Sequence, residues 1–136
     1  MSREAAVALI QSYYRAFNAG QWETFLGLLT DGVVHDINHG DRETGRDAFR
    51  AFMDRMNRCY AEQIVDLVVM ASDDGTRAAA EFVVEGRYLA TDAGLPEATG
   101  QTYRLPAGAF FAIEGGRVAR VTNYYNLADW LRQVGV

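Results

Sequence analysis

The chain has one cysteine, no long apolar run, no excess of positive charge and no glycine-rich phosphate loop. Each absence removes a class of protein. A lone Cys59 excludes an internal disulfide and makes a reducing cytoplasm the expected location. No stretch approaches the roughly 18 apolar residues of a membrane span, and the start does not read as a secretion signal, so no membrane partner is expected. The 13 basic residues are outnumbered by 18 acidic ones, and a net charge of -5 is the wrong sign for phosphate-rich partners, so no nucleic acid is expected. Only two histidines occur, His35 and His39, with no clear third ligand on a rigid element nearby. Zinc needs at least three, so no metal is expected. The Gly45-Arg46-Asp47 helix start could hold an anion, but so can most helix starts.

What is present is an ordinary hydrophobic balance, 49% apolar against 23% charged, in 136 residues. That is enough for a single domain, residues 1–136, with a core of its own. Ala6, Leu9, Ile10, Tyr13 and Phe17 recur at helical spacing, with Ser2 placed to cap the start and Gly20 to end the helix. A second helix is predicted over 22–29. Asp31-Gly32 turns the chain into a short strand carrying both histidines and Asp36. Residues 38–44 read as a polar loop, and Thr44 with Asp47 as a capping pair opening a third helix with the stripe Phe49, Phe52, Met53, Met56 and Tyr60.

After Glu62 the character changes to β-branched and alternating. Strands are predicted over 64–70, 76–89, 103–113 and 118–125, with turns at Asp73-Asp74-Gly75 and Glu114-Gly115-Gly116. Residues 91–99 form a longer loop, and Asn126 caps a last short helix with Leu127, Trp130 and Leu131. Helices first and hairpin-linked strands later imply an α+β fold: a curved, mostly antiparallel sheet wrapped around three N-terminal helices, a cone with a pocket where they fail to meet.

Two segments carry more than architecture. One is Tyr13-Tyr14-Arg15-Ala16-Phe17-Asn18-Ala19-Gly20-Gln21-Trp22; the other is Val33-Val34-His35-Asp36-Ile37-Asn38-His39-Gly40. They resemble the ketosteroid isomerase and SnoaL-like polyketide cyclase branch of the nuclear transport factor 2-like superfamily. The element order matches that superfamily over nearly the whole chain, most strongly over 13–45 and 106–125. The resemblance implies the cone-shaped fold and a homodimer. It also implies that Tyr13 stands where the isomerases keep their tyrosine donor. Ile37 stands at the place of the aspartate base and Gly108 at that of the protonated acid, so two of the isomerases' catalytic groups are replaced here.

Strand alternation puts Val33, His35, Ile37 and His39 on one face and Val34, Asp36 and Asn38 on the other. His35 then has the pocket-facing parity, and a one-residue bulge would turn Asp36 inward instead. The ungapped match also faces Arg104, Phe110, Asn123 and Tyr125 inward, together with Ala80, Phe82, Val84 and Tyr88. His35 is either a hydrogen-bonded core residue or a base, since imidazole suits both. His39 sits near the loop, expected at the surface. Asp36 either serves the pocket or pairs with Arg42 or Arg46. Tyr13 is either a core residue or a pocket donor. Asn123 is either structural or an orienting donor. Met53 and Met56 suit adaptable packing or a pocket wall. Glu81, Val83, Glu85 and Arg87, with Arg120 and Thr122, alternate onto the outer sheet face, where two copies are expected to meet.

The function expected from these residues is cofactor-free acid–base chemistry of isomerase, dehydratase or cyclase type. The substrate is a small, mostly apolar carbonyl or hydroxyl compound. His35 or Asp36 accepts the proton, Tyr13 donates to the oxyanion and Asn123 orients. Phe17, Phe52, Met53, Met56, Phe82, Tyr88, Arg104, Phe110 and Tyr125 bind the substrate. The alternative is a non-catalytic ligand-binding or assembly module of the same fold. The two readings differ at His35: an inward ring with an unengaged nitrogen favours the enzyme, and both nitrogens bonded to backbone favour the module.

Overall fold

The computed structural model describes residues 2–38 and 40–135; His39 lies outside the described residues. Helix α1 (Arg3–Ala19) starts on Ser2, whose side chain accepts the Ala5 N–H, and stops at Gly20 in the left-handed conformation. Helix α2 (Trp22–Gly27) is shorter than predicted, because Leu29 already opens strand β1 (Leu29–Asp36) by pairing with Val118. The polar stretch expected as a loop contains a strand, β2 (Arg42–Thr44), antiparallel to β1. Its three charged or polar residues carry no apolar alternation, so only the partner strand reveals them. Thr44 is consequently committed to β2, and α3 (Arg46–Cys59) starts at Gly45 without a side-chain cap.

Strands β3 (Tyr60–Ala71), β4 (Arg77–Tyr88), β5 (Thr102–Glu114) and β6 (Arg117–Tyr125) follow, and α4 (Leu127–Val134) begins on the Asn126 cap. Among the described residues the strands form one sheet in the order β2-β1-β6-β5-β4-β3. All neighbours are antiparallel except β1 and β6. The α+β expectation therefore holds, as an open, curved sheet closed over by the N-terminal helices. No helix among the described residues is long and apolar enough to cross a membrane.

Two devices shape the sheet. In β3 the register shifts between Val65 and Val68, where Asp66 takes a positive φ of 54°. The bulge switches faces, so Leu67 and Val69 pack on the core while Val68 and Met70 point to solvent. Further along, Glu62 of β3, Gly86 of β4 and Tyr103 of β5 stand in one row across three strands. A Cβ on Gly86 would lie 2.3 Å from the Tyr103 ring, so the missing side chain is what lets that ring cross β4.

The main core lies between α1 and the concave sheet face, with Ile10, Leu29, Val33, Phe111, Val118 and Val121 fully buried. A second cluster of Tyr88, Tyr103, Leu105, Trp130 and Val134 seals the end under α4. Asn18, at the end of α1, ties the helix to β3 by pairing both backbone groups of Ile64: its Oδ1 accepts from the N–H at 2.8 Å and its Nδ2 donates to the carbonyl at 2.9 Å.

The row across β3–β5 gives a direct test. Gly86→Ala should cost about 1–3 kcal/mol in urea denaturation through overpacking. Gly27→Ala, where a Cβ meets nothing within 4 Å, should be neutral or mildly stabilising.

Candidate functional site

One cavity of about 790 Å³ opens between the concave sheet face and the helices. His35 reaches it from β1 and is only 2% exposed. Its ring stacks on Phe49 at 4.3 Å and meets the edge of Phe52 at 4.6 Å. Nδ1 is buried with no hydrogen-bond partner among the described residues, and Nε2 lies 3.4 Å from the Asn123 amide nitrogen. The ring can take either tautomer, with the Asn123 amide turned to match. Burial, opposed by the Asp36 charge, pulls the imidazole down from 6.5 to about 4, so it is neutral near pH 7.

Asp36 points the other way. Its carboxylate accepts two bonds from Arg42 and one from the Thr122 hydroxyl at 2.7 Å. The Arg42 bond, helped by Thr122, holds it at about 2. The strand between Val33 and Asp36 keeps the simple alternation: the parity that faces His35 inward stands, and the pairing with Arg42 is the one realised. Asp36 does not line the cavity.

Tyr13, Phe17, Phe52, Met53, Met56 and Phe82 all line the cavity, as do Asn123 and Tyr125. Tyr13 packs against Tyr14, Phe25 and Phe111, and burial pushes its phenol well above the usual tyrosine range. Tyr14 stands beside it and is raised the same way, by burial and then by Tyr13 itself. Tyr125 sits near Asn38, whose amide donates to the Tyr125 carbonyl at 3.1 Å.

Three expected binding residues are elsewhere. Arg104 and Phe110 lie on the outer sheet face: Arg104 pairs with Glu85 and Asp66, and Phe110 is 51% exposed against Tyr124. The reason is register. Asn123 is opposed to Ala109, not Phe110, and opposed residues share a face, so Tyr103, Leu105, Ala107 and Ala109 point inward on β5. Gly108 accordingly pairs with the outward Glu81 and Tyr124, one residue out of step with the ungapped match. Tyr88 keeps the inward parity but is wholly buried in the second core cluster. Its hydroxyl donates to the Pro96 carbonyl and accepts from the Asp92 N–H, holding the 91–99 loop.

The cavity has a second polar end, which no motif in the sequence marks. There Tyr103 donates to Glu62, Tyr60 donates to Asp92 at 2.9 Å, and Arg55 stands 3.7 Å from Asp92. Glu62 sits at a helix–strand junction and Asp92 in a loop, where no periodicity assigns a direction; Gly86, isolated within a strand, was the one local signal. Glu43 of β2, opposed to His35, also lines the cavity, with one carboxylate oxygen buried and without a hydrogen-bond partner among the described residues. Among the described residues no three His, Cys, Asp or Glu side chains gather as a metal-ligand set.

Comparison with known proteins places this architecture. No curated protein matches the chain. The crystal structure of a candidate polyketide cyclase from Pseudomonas putida KT2440 superposes with a TM-score of 0.95 at 61% identity, covering 96% of this chain and 98% of that one. A candidate polyketide cyclase from Xanthomonas campestris pv. campestris does so with a TM-score of 0.95 at 55% identity, over 98% of each chain. An NTF2-like protein of Burkholderia xenovorans LB400, at 13% identity and a TM-score of 0.78 over 99% of each chain, shares the fold. The family model for the SnoaL-like domain matches residues 10–121, the span that holds the second half of α1, the His35 strand and the cavity-facing rows of β4 and β5, and the chain therefore belongs to the SnoaL-like family within the NTF2-like fold.

Proposed function

We propose that the protein is a cofactor-free acid–base enzyme of cyclase or isomerase type, acting on a small, mostly apolar carbonyl compound held in the cavity. The observation that carries this reading is His35: a neutral imidazole on an apolar wall, inward, with Nδ1 unpartnered and Nε2 facing a side-chain amide rather than backbone. A structural histidine would have both nitrogens satisfied, because a buried polar atom without a partner costs about 1–3 kcal/mol. Descriptions of the relatives at 61% and 55% identity as candidate polyketide cyclases support the same class.

In this reading His35 takes a proton from the carbon next to the substrate carbonyl. The C–H electron pair moves into the enolate and the charge settles on oxygen, beside the Tyr13 hydroxyl. The enolate carbon then attacks a second carbonyl and closes a ring, or is reprotonated at a different carbon. The proton returns from His35 to the product. Asn123 fixes the imidazole's orientation. The dry cavity keeps Tyr13 protonated as a donor and strengthens its bond to the developing oxyanion.

Turnover of linear β-polyketones and β,γ-unsaturated ketones tests this. Because burial lowers His35 to about 4, kcat/KM should rise with pH through about 4 rather than 6.5. His35→Gln should lose that limb and about 10²–10⁴-fold in rate. Asp36→Asn should stay within about tenfold of wild type, since its carboxylate serves Arg42 and Thr122 outside the cavity. The reverse ranking would remove His35 from the chemistry. Tyr13→Phe should fold and lose about 10–10³-fold in kcat; a folded variant with unchanged kcat would remove the donor role.

We further propose that two copies meet through the outer sheet face. Phe110 and Tyr124 form an exposed edge-to-face pair there, 51% and 57% exposed, with Val68 and Met70 also uncovered. Such an apolar patch on a sheet face suits an isologous contact. Multi-angle light scattering at micromolar concentration should give twice the 15.1 kDa chain mass, and Phe110→Glu should return it to one. A wild-type protein of 15.1 kDa would refute the contact.

A further inference from the structure

The three-strand row of Glu62, Gly86 and Tyr103 has no role in the chemistry above, yet it is built with care. Tyr103 reaches Glu62 only because Gly86 leaves the surface of β4 open between them. The Tyr103 hydroxyl donates to Oε2 of Glu62. No donor among the described residues reaches Oε1, and that oxygen is not sealed off by protein. Glu62 lines the cavity. Burial raises its carboxyl above the usual carboxylate range, against the pull of the Tyr103 bond. The neighbouring Asp92 is already engaged by Tyr60 and Arg55, so the acceptor left open at this end is Glu62.

This end is remote from His35. Strand β3 is four positions from β1 in the sheet, roughly 19 Å along it at about 4.8 Å per strand. Between the two ends the cavity wall is apolar, with Phe82, Val84, Leu105, Ala107 and Ile64. A long apolar passage with the open Nδ1 of an imidazole at one end and an unengaged carboxyl oxygen at the other fits a compound polar at both ends.

We propose that Glu62, positioned by Tyr103 across Gly86, is a second binding subsite that accepts a hydrogen bond from a hydroxyl group of the substrate. The substrate class is then an elongated apolar carbonyl compound with a hydroxyl, phenolic or enolic, at the end far from the reacting carbonyl. This rests on the cavity being the substrate site, and it does not depend on His35 being the base.

The test is a matched pair of probes, 4-acetylbiphenyl and 4-acetyl-4′-hydroxybiphenyl, titrated calorimetrically into the wild-type protein and a Glu62→Leu variant. In wild type the added hydroxyl should tighten binding about tenfold, the effect of a hydrogen bond to a carboxylate. In Glu62→Leu that advantage should vanish while 4-acetylbiphenyl binds within about threefold of wild type. Should Glu62→Leu fail to fold, Glu62→Gln keeps the shape and should shrink the advantage to about threefold, as a neutral acceptor is about half as strong. A hydroxyl advantage that survives in the variants, or is missing in wild type, overturns the subsite and leaves the enzyme reading standing. Binding of neither probe overturns both. Unchanged turnover in His35→Gln with the probe pattern intact removes His35 as the base and leaves the subsite standing.

Discussion

The parallel pairing of β1 with β6 is the constraint on which the site depends. Its register sets His35 beside Val121 and Asp36 beside Thr122. A slip of one residue would exchange the two, sending a carboxylate into the apolar cavity and an imidazole out to solvent. The register is locked from the outer face: Asp36 holds Thr122 of β6 and Arg42 of β2 at once, stitching three strands. Asn123 then arrives opposite the cavity side of the same pair, within reach of His35. An outer-face ion pair thus decides which titratable group of β1 faces the cavity.

Adjacent residues in β1 consequently hold opposite electrostatic states. Asp36, charged and well bonded at the sheet's outer face, sits at about 2, and His35, stripped of water among Phe49 and Phe52, at about 4. Near pH 7 one is an anion and the other a neutral ring with a lone pair. Separating two neighbouring groups by environment is how proton-handling sites commonly divide labour. The surrounding aromatic packing serves the same end, since Tyr13, Tyr14, Phe25 and Phe111 keep water from the inner wall.

At the other end the sheet solves a different problem. A carboxyl and several phenols must share a poorly hydrated space, and each is paired: Tyr103 with Glu62, Tyr60 with Asp92, Tyr88 with Pro96 and the Asp92 amide. The phenols come from three strands and bond Glu62 of β3 and the 91–99 loop, so this end also fastens that loop and seats Trp130 of α4. The cavity is therefore framed by two polar clusters with a hydrophobic passage between them.

The ungapped match to the related isomerases supplied the inward parity of His35, Asn123 and Phe82; periodicity and turn chemistry were enough to establish the α+β order, the capped α1, the stripe of α3 and the hairpin strands. These are local properties, decided by the spacing of apolar residues and by Ser2, Gly20 and Asn126. The resemblance to SnoaL-like proteins was legible for the same reason, because it rests on contiguous segments. What local pattern could not decide was anything set by a partner strand. β2 has no apolar rhythm and exists because β1 offers it hydrogen bonds. Arg104 and Phe110 face outward because β5 is registered by β4 and β6, an alignment invisible along β5 itself. The Asp66 bulge flips the end of β3. Glu62 and Tyr103, 41 positions apart, meet only because a glycine on the strand between them leaves room. The chain dictates which residues alternate; the pairing of strands far apart in sequence decides which way each alternation faces.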